Sequence, residues 1–312
     1  QTLSFNVSND NNSLFSVQPA ISSSGDLTYT LAEHANGTAE GIINLSDNGG
    51  VSNGGANQSE DQTFNINVTS INDAPSFTTG SDEDVLEDSG LLNAHTVTDW
   101  ATSISSGPPD ESGQTLSFNV SNDNNSLFSV QPAISSSGDL TYTLAEHANG
   151  TAEVIINLSD NGGVSNGGVN QSEDQTFNIN VTSINDAPVF SSLPNNITVN
   201  EGFSGTQTVT VTPGDVPADE SDQTVIYSLS PSSVTFATVV INSNNGAVSV
   251  DAVGDSSGNE IFTITADDGG GTANGGVETS TQTFSLTVNP VNDAPSFTTG
   301  SDEDVLEDSG LL

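Results

Sequence analysis

Gln175-Thr176-Phe177-Asn178-Ile179-Asn180-Val181-Thr182-Ser183-Ile184-Asn185-Asp186-Ala187-Pro188 is the stretch on which the fold turns. Phe177, Ile179 and Val181 alternate with polar residues, the period of a strand with one buried face. The run then ends on Asn-Asp-Ala-Pro. Asn and Asp favour turns, and Pro stiffens the chain and keeps the residue before it extended. The same ending recurs as Ile71-Asn72-Asp73-Ala74-Pro75 and as Val291-Asn292-Asp293-Ala294-Pro295. A strand followed by a stiff linker, three times over, describes tandem units.

Internal repeats confirm the count. Residues 1–75 recur at 114–188 with two changes, Gly41 to Val154 and Ala56 to Val169. Residues 72–92 recur without change at 292–312. The chain therefore reads as the C-terminal part of a unit A (1–74), a complete unit A (75–187), a different unit B (188–294) and the start of another A (295–312). Both ends fall inside a unit, as in a window from a longer chain. Units of this length match a single sandwich domain.

Working outward, the period stays at two. In unit A the alternating sets are Leu116, Phe118 and Val120; Leu140, Tyr142 and Leu144; Ile156 and Leu158. In unit B they are Ile197 and Val199; Val209 and Val211; Val225, Tyr227 and Leu229; Phe262 and Ile264; Phe284, Leu286 and Val288. Gly, Asn, Ser, Asp and Pro clusters separate them. The pattern predicts an all-β fold of tandem seven-stranded antiparallel β-sandwiches arranged as a rod. Gly41 leads an alternating strand. If it faces inward, the first copy lacks a buried side chain that is worth about 1.5–3 kcal/mol.

The composition excludes whole classes of function. There are 41 acidic residues, no Lys, no Arg and no Cys, for a formal charge of −41. A polyanion of this kind has no cations with which to bind nucleic acid or an anionic membrane surface. It has no P-loop lysine, guanidinium clamp, disulfide or thiolate. No apolar run is long enough to span a membrane. Inside the fold, carboxylates have only three His as possible basic partners. Positive charge has to come from outside, and hard carboxylate and carbonyl oxygens suit Ca2+.

The acids gather at strand ends. One group is Asp82-Glu83-Asp84 with Glu87-Asp88, matched in unit B by Glu201. A second is Asp110-Glu111, matched by Asp219, Glu220 and Asp222. A third is Asp160 before Asn-Gly-Gly, matched by Asp267-Asp268 before Gly-Gly. The fourth is the linker pair: Asn72 and Asp73, Asn185 and Asp186, Asn292 and Asp293. Strand ends of a sandwich meet at its two poles, so the acids of neighbouring units converge where one unit follows the next. The expected metal ligands are Glu87, Asp110, Glu111, Asp160, Glu201, Asp219, Glu220, Asp222, Asp267 and the three linker pairs.

Asn185-Asp186-Ala187-Pro188-Val189-Phe190 resembles the inter-domain linker of cadherins. Ala266-Asp267-Asp268-Gly269 resembles the cadherin aspartate-glycine turn, Glu201 the glutamate that ends the first strand, and Asp219-Glu220-Ser221-Asp222 the loop of paired acids. Units A and B together resemble the cadherin-like repeats of giant bacterial surface and secreted proteins, calcium-dependent adhesins among them. The arginine-flanked acidic triplet of animal cadherins has no match, and Glu146 and Asp255 are the acids nearest its place. The linker also lacks a second Asn, which leaves the ion count per junction open.

Catalytic patterns fail on inspection. Gly254-Asp255-Ser256-Ser257-Gly258 has the nucleophile-elbow spelling but no helix to follow it and no His in unit B. The paired acids lie on turns repeated from unit to unit, unlike one pocketed acid–base pair. His34 and His147 read as turn residues and Trp100 as a core residue, and the chain is not expected to be an enzyme. The expected role is a structural extender, stalk or fibre segment of an extracellular surface protein, stiffened by Ca2+ where units meet. Its partners are the neighbouring repeats, and near-millimolar extracellular calcium suits such sites. Each unit would add about 40 Å at ~3.3 Å per strand residue. The alternatives are a module that binds a cell-surface glycan or protein, and a fibre subunit in which residues 295–312 of one chain complete unit 1–74 of another.

Overall fold

The computed structural model describes every residue except 90–93, 193, 215, 309, 311 and 312. The chain divides into two compact units, Gln1–Ser183 and Ile184–Leu312.

The first unit holds two separate cores. The earlier one is built from β1 (Leu3–Asn9), β2 (Phe15–Ile21), β3 (Leu27–Leu31), β4 (Gly37–Asp47) and β5 (Gln62–Val68). One sheet has the order β1-β4-β5 and the other is the hairpin β2-β3. Its buried residues are Leu14, Phe15, Ala39 and Ile66.

The later core is larger. Its strands are β6 (Ser76–Thr78), β7 (Glu83–Leu86), β8 (His95–Val97), β9 (Thr102–Ser105), β10 (Ser117–Asn122), β11 (Phe128–Ile134), β12 (Leu140–Leu144), β13 (Gly150–Ser159) and β14 (Gln175–Thr182). They form a four-stranded sheet β10-β13-β14-β7, a three-stranded sheet β11-β12-β8 and a small ribbon β6-β9. Leu140, Tyr142, Leu144, Ile156, Leu158, Phe177 and Ile179 all point into the space between the sheets. The alternating residues therefore bury as their period requires. Trp100 fills the same core, its ring 4.3 Å from that of Phe177 and its Nε1 donating to Ser81 O.

The second unit repeats the plan with β15 (Ile197–Asn200), β16 (Gln207–Val209), β17 (Ile226–Ser230), β18 (Ala237–Ile241), β19 (Val248–Ala252), β20 (Gly258–Asp267) and β21 (Thr279–Asn289). The sheets are β15-β21-β20-β17 and β16-β19-β18. Val209, Val248, Val250, Phe262, Ile264, Phe284 and Leu286 make its core. Residues 253–257 are the turn between β19 and β20, and Gly258 opens β20, so this is not a strand-to-helix elbow.

The fold is all-β, and the later core and the second unit each face a four-stranded sheet with a three-stranded one, seven strands in two layers, but not wholly antiparallel. In each of these two sandwiches an early strand runs parallel to the last one: β7 beside β14 and β15 beside β21. This happens because the chain enters at one pole, so β7 and β15, like β14 and β21, run away from it. The ends of β7 and β15 carry Glu87 and Glu201.

Gly41 and Val154 occupy the same inward position, both buried. In the first copy a Cβ on Gly41 would lie 2.5 Å from the Phe64 ring, which has taken the space.

Candidate metal centre

The turn Pro109–Glu111 is a single 3-10 turn entered from Pro108 and tied back by a bond from Glu111 N to Pro108 O. It holds the Glu111 side chain inward, 4 % exposed, where Oε1 accepts a hydrogen bond from Asp73 N at 2.8 Å. Asp160 follows β13 with the inward parity of Ile156 and Leu158 and is also buried. Its Oδ1 accepts from Gly162 N (2.9 Å) and from Asn72 Nδ2 (3.0 Å). Asn72 is the hub. Nδ2 also donates to Val169 O (2.6 Å), Oδ1 accepts from Gln114 Nε2 (2.7 Å), and its backbone carbonyl accepts from Val169 N. A side chain at position 162 would overlap Asn72 Oδ1, so only glycine fits there.

The second unit builds the same set from different surroundings. Asn185 Nδ2 donates to Asp268 Oδ1 (3.1 Å) and Val277 O (2.8 Å). Gln223 Nε2 donates to Asn185 Oδ1 (2.8 Å) and Asp186 N to Glu220 Oε1 (2.7 Å). Glu220 lies on the turn Ala218–Glu220, and Gly270 stands where Gly162 does, against Asn185 Oδ1. A cavity bounded by Asp186, Pro188, Pro213, Glu220, Tyr227 and Asp268 adjoins these acids. Burial, with the nearby charges of Asp186, Asp219 and Asp268, raises the Glu220 carboxyl above its usual range, while the Asp186 N–H pulls the other way.

The two sets leave charge unanswered. Oε2 of Glu111, Oδ2 of Asp160 and Oδ2 of Asp268 are shut off from solvent with no hydrogen-bond partner. A buried ion without a partner costs several kcal/mol, and the chain has no Lys or Arg to supply one. Oxygen-only donors, carboxylates with backbone and amide oxygens around them, are the set that Ca2+ takes. The residues fit a hard divalent cation.

In the first unit, loops of the earlier core reach this set. His34 Nδ1 donates to Asp73 Oδ2 at 3.1 Å, and Asn36 Nδ2 donates to Asp110 Oδ2 at 2.6 Å. The equivalent loop of the later copy does similar work at the far end of β13. There His147 N donates to Asp88 Oδ1 and Asn149 Nδ2 to Glu87 Oε2. His34 and His147 are both in the left-handed region, φ 55° and 53°, as turn residues.

Of the expected ligands, Asn72, Asp73, Glu111 and Asp160 come together, as do Asn185, Asp186 and Glu220, while Asp110 and Asp219 are exposed on the turns that carry Glu111 and Glu220. Glu87 and Glu201 stand at the opposite poles of their own sandwiches. Glu87 is fully buried and its N–H bonds Thr182 O. Glu201 is bonded by its N–H to Asn289 O, and its Oε1 accepts from Val291 N. Asp222, Asn292 and Asp293 are exposed, and none of them joins a cluster.

Asp267 Oδ1 caps Gly269 N, and its neighbour Asp268 stands where Asp160 does in the other sandwich. Strand parity could have found this: Ile264, Ala266 and Asp268 share a face, as Ile156, Leu158 and Asp160 do. Two other contacts left no trace in local sequence. His95 stacks on Tyr142 at 5.0 Å, and Gln114 reaches Asn72 from the far side of the loop.

No protein-family model matches the chain, and no curated protein matches it. Among solved structures it is similar to mouse cadherin-23 EC22-24, at 17 % identity over 93 % of this chain and 87 % of that one, TM-score 0.44. It is also similar to mouse protocadherin-24 EC1-3 (18 %, 93 % and 91 %, TM-score 0.42) and human CDH23 EC21-23 (17 %, 92 % and 88 %, TM-score 0.42). At these identities and scores the likeness assigns no ligand and no partner.

Proposed function

We propose that the chain is a structural segment of an extracellular surface protein, a stalk or fibre piece whose consecutive sandwiches are stiffened by Ca2+ at their linkers. Asp73, Glu111, Asp160 and Asp110 would hold the ion at one linker, and Asp186, Glu220, Asp268 and Asp219 would contribute to another. When bound, the cation supplies the positive charge that these carboxylates lack. The protein's own part is to fix the acids before the ion arrives: Asn72 and Asn185 tie linker to turn, and Gly162 and Gly270 let them approach.

The observation that carries this reading is the buried, unpartnered carboxylate oxygen of Glu111 and of Asp160, matched by Asp268 in a dissimilar sandwich. Without cation the acids repel one another and the linker loosens. With it, each fold gains stability by mass action, about 2.7 kcal/mol per site at a free concentration of 100 Kd.

The test is calorimetric melting and small-angle scattering of the whole chain in Ca2+ and in chelator. Ca2+ is expected to raise the melting temperature and to increase the maximum dimension. Asp160→Asn and Asp268→Asn are each expected to remove part of the rise. Identical melting and dimensions in both buffers would falsify the reading.

A further inference from the structure

The cavity of the second unit has walls that a metal cage has no use for. Glu220 and Asp268 line it, 5 % and 8 % exposed, together with Val189, Pro213, Val225 and the Tyr227 ring. Asp268 Oδ1 is taken up by Gly270 N and Asn185 Nδ2. Asp268 Oδ2 is shut off from solvent and has no partner.

The first unit treats the same stretch differently. There the chain after the linker is drawn into the sandwich: Ser76 pairs with Ser105, and Phe77 is buried edge-on to Phe118 at 5.1 Å. In the second unit a single bridge between Phe190 and Pro213 replaces that ribbon. Phe190 is only half-buried, and Val189, in the place of Ser76, is exposed. Equivalent acids thus have a serine nearby in one sandwich and an apolar cavity in the other.

A hard divalent cation takes six to eight oxygens and gains nothing from valine, proline or a phenol ring. A cation on a hydrocarbon stem uses both kinds of wall. Its charge goes to the carboxylates, and its stem lies on the apolar side chains and the Tyr227 face. The chain has no Lys and no Arg, and all three His lie in the first unit, so no side chain of the second unit can be that cation.

We propose that this cavity binds a primary ammonium on an aliphatic stem, with the ammonium at Asp268 Oδ2 and Glu220 and the stem against Val189, Val225 and Tyr227. A lysine side chain of another protein and a free alkylamine share that chemistry. The site shares its two acids with the calcium reading but does not rest on it. One set of acids serves one cation at a time, so Ca2+ competes.

The test uses the intact chain in chelator, with n-butylammonium as the probe, read by calorimetry and by NMR of the valine methyl groups. A dissociation constant on the order of 1 mM is expected for so small a probe, with shifts at Val189 and Val225. n-Butanol has the stem without the charge and inorganic ammonium the charge without the stem, and each is expected to bind several-fold more weakly. Asp268→Asn is expected to abolish binding. Val189→Ser alters a wall outside both the core and the acids, so it answers for a misfolded Asp268 variant. It is expected to weaken butylammonium several-fold and to leave the Ca2+-dependent rise in melting temperature unchanged. A blocked Gly-Lys-Gly peptide separates the two sources. Shifts at the same methyl groups assign a partner's lysine, and butylammonium binding without peptide binding assigns a free amine. Absence of saturable butylammonium binding overturns the proposal, even where Ca2+ still raises the melting temperature. So does binding that butanol or inorganic ammonium matches, or that Asp268→Asn and Val189→Ser leave unchanged.

Discussion

Residues 1–75 and 114–188 differ at two positions, yet they fold to different completeness. Leu140, Tyr142 and Leu144 are at most 1 % exposed, while Leu27, Tyr29 and Leu31, the same residues one repeat earlier, are 40 %, 42 % and 38 % exposed. The cause lies outside both stretches. In the later copy β8 pairs with β12, bringing Val97 beside Leu140 and His95 beside Tyr142. Trp100 seals the centre against Phe177. These groups come from residues 75–113, and among the described residues no counterpart of them packs on the first copy. The stretches 72–88 and 292–308 teach the same thing in miniature: identical residues make β6 and β7 in one place and coil in the other. An amphipathic strand is half an interaction, and its other half is often far away in the chain.

The strongest way to break this comparison is to separate the copies. Residues 75–187 alone are expected to melt in one cooperative calorimetric transition, and residues 1–74 alone to show none. Placing the sequence 75–113 in front of 1–74 is expected to restore the transition. Comparable cooperativity in the bare 1–74 fragment would mean that the missing segment contributes little.

The next effect is smaller and concerns the one buried difference between the copies. Val154→Gly in 75–187 is expected to cost about 2–4 kcal/mol in urea unfolding, from the lost buried side chain and the added backbone freedom of glycine. Gly41→Val gives back much less in the whole chain, because the Phe64 ring already occupies the space. Equal and opposite changes would show that the two sites are interchangeable.

The smallest effect sharpens the comparison through an acid that only the later copy carries. Burial first, and then the charge of Asp84, raise the Glu83 carboxyl above its ordinary value of 4.5, with His95 opposing. The folded state therefore holds this proton more firmly than the unfolded chain. Its contribution is fully present below the unfolded value and is lost as pH rises through the folded one. Glu83→Gln in 75–187 is expected to raise the melting temperature near neutral pH, with the gain shrinking on acidification. A gain independent of pH would assign the effect to something other than this titration.

Much of the architecture was legible beforehand. The alternating sets carry the strands and their inward faces. Asp73, Glu111 and Asp160 all stand at strand ends in the sequence, and the fold brings them to one end of the sandwich. Composition does not choose between the neighbours Asp267 and Asp268; strand parity turns Asp268 to the buried face. The parallel pairing of β7 with β14 is not in the pattern either, because period two says which face is buried but not which strand lies alongside.

What the residues determined by themselves was the strand period, the stiff linkers and a negative charge with nothing in the chain to balance it, since each of these is carried by neighbours in sequence or by composition. Tertiary structure alone decided which of two near-identical copies buries its hydrophobic strand, which carboxylates end up shielded from water, and whether the repeated Asn-Asp-Ala-Pro-Ser-Phe segment becomes strand or coil. Those outcomes depend on pairing and burial by residues distant in the chain, and local sequence does not contain them.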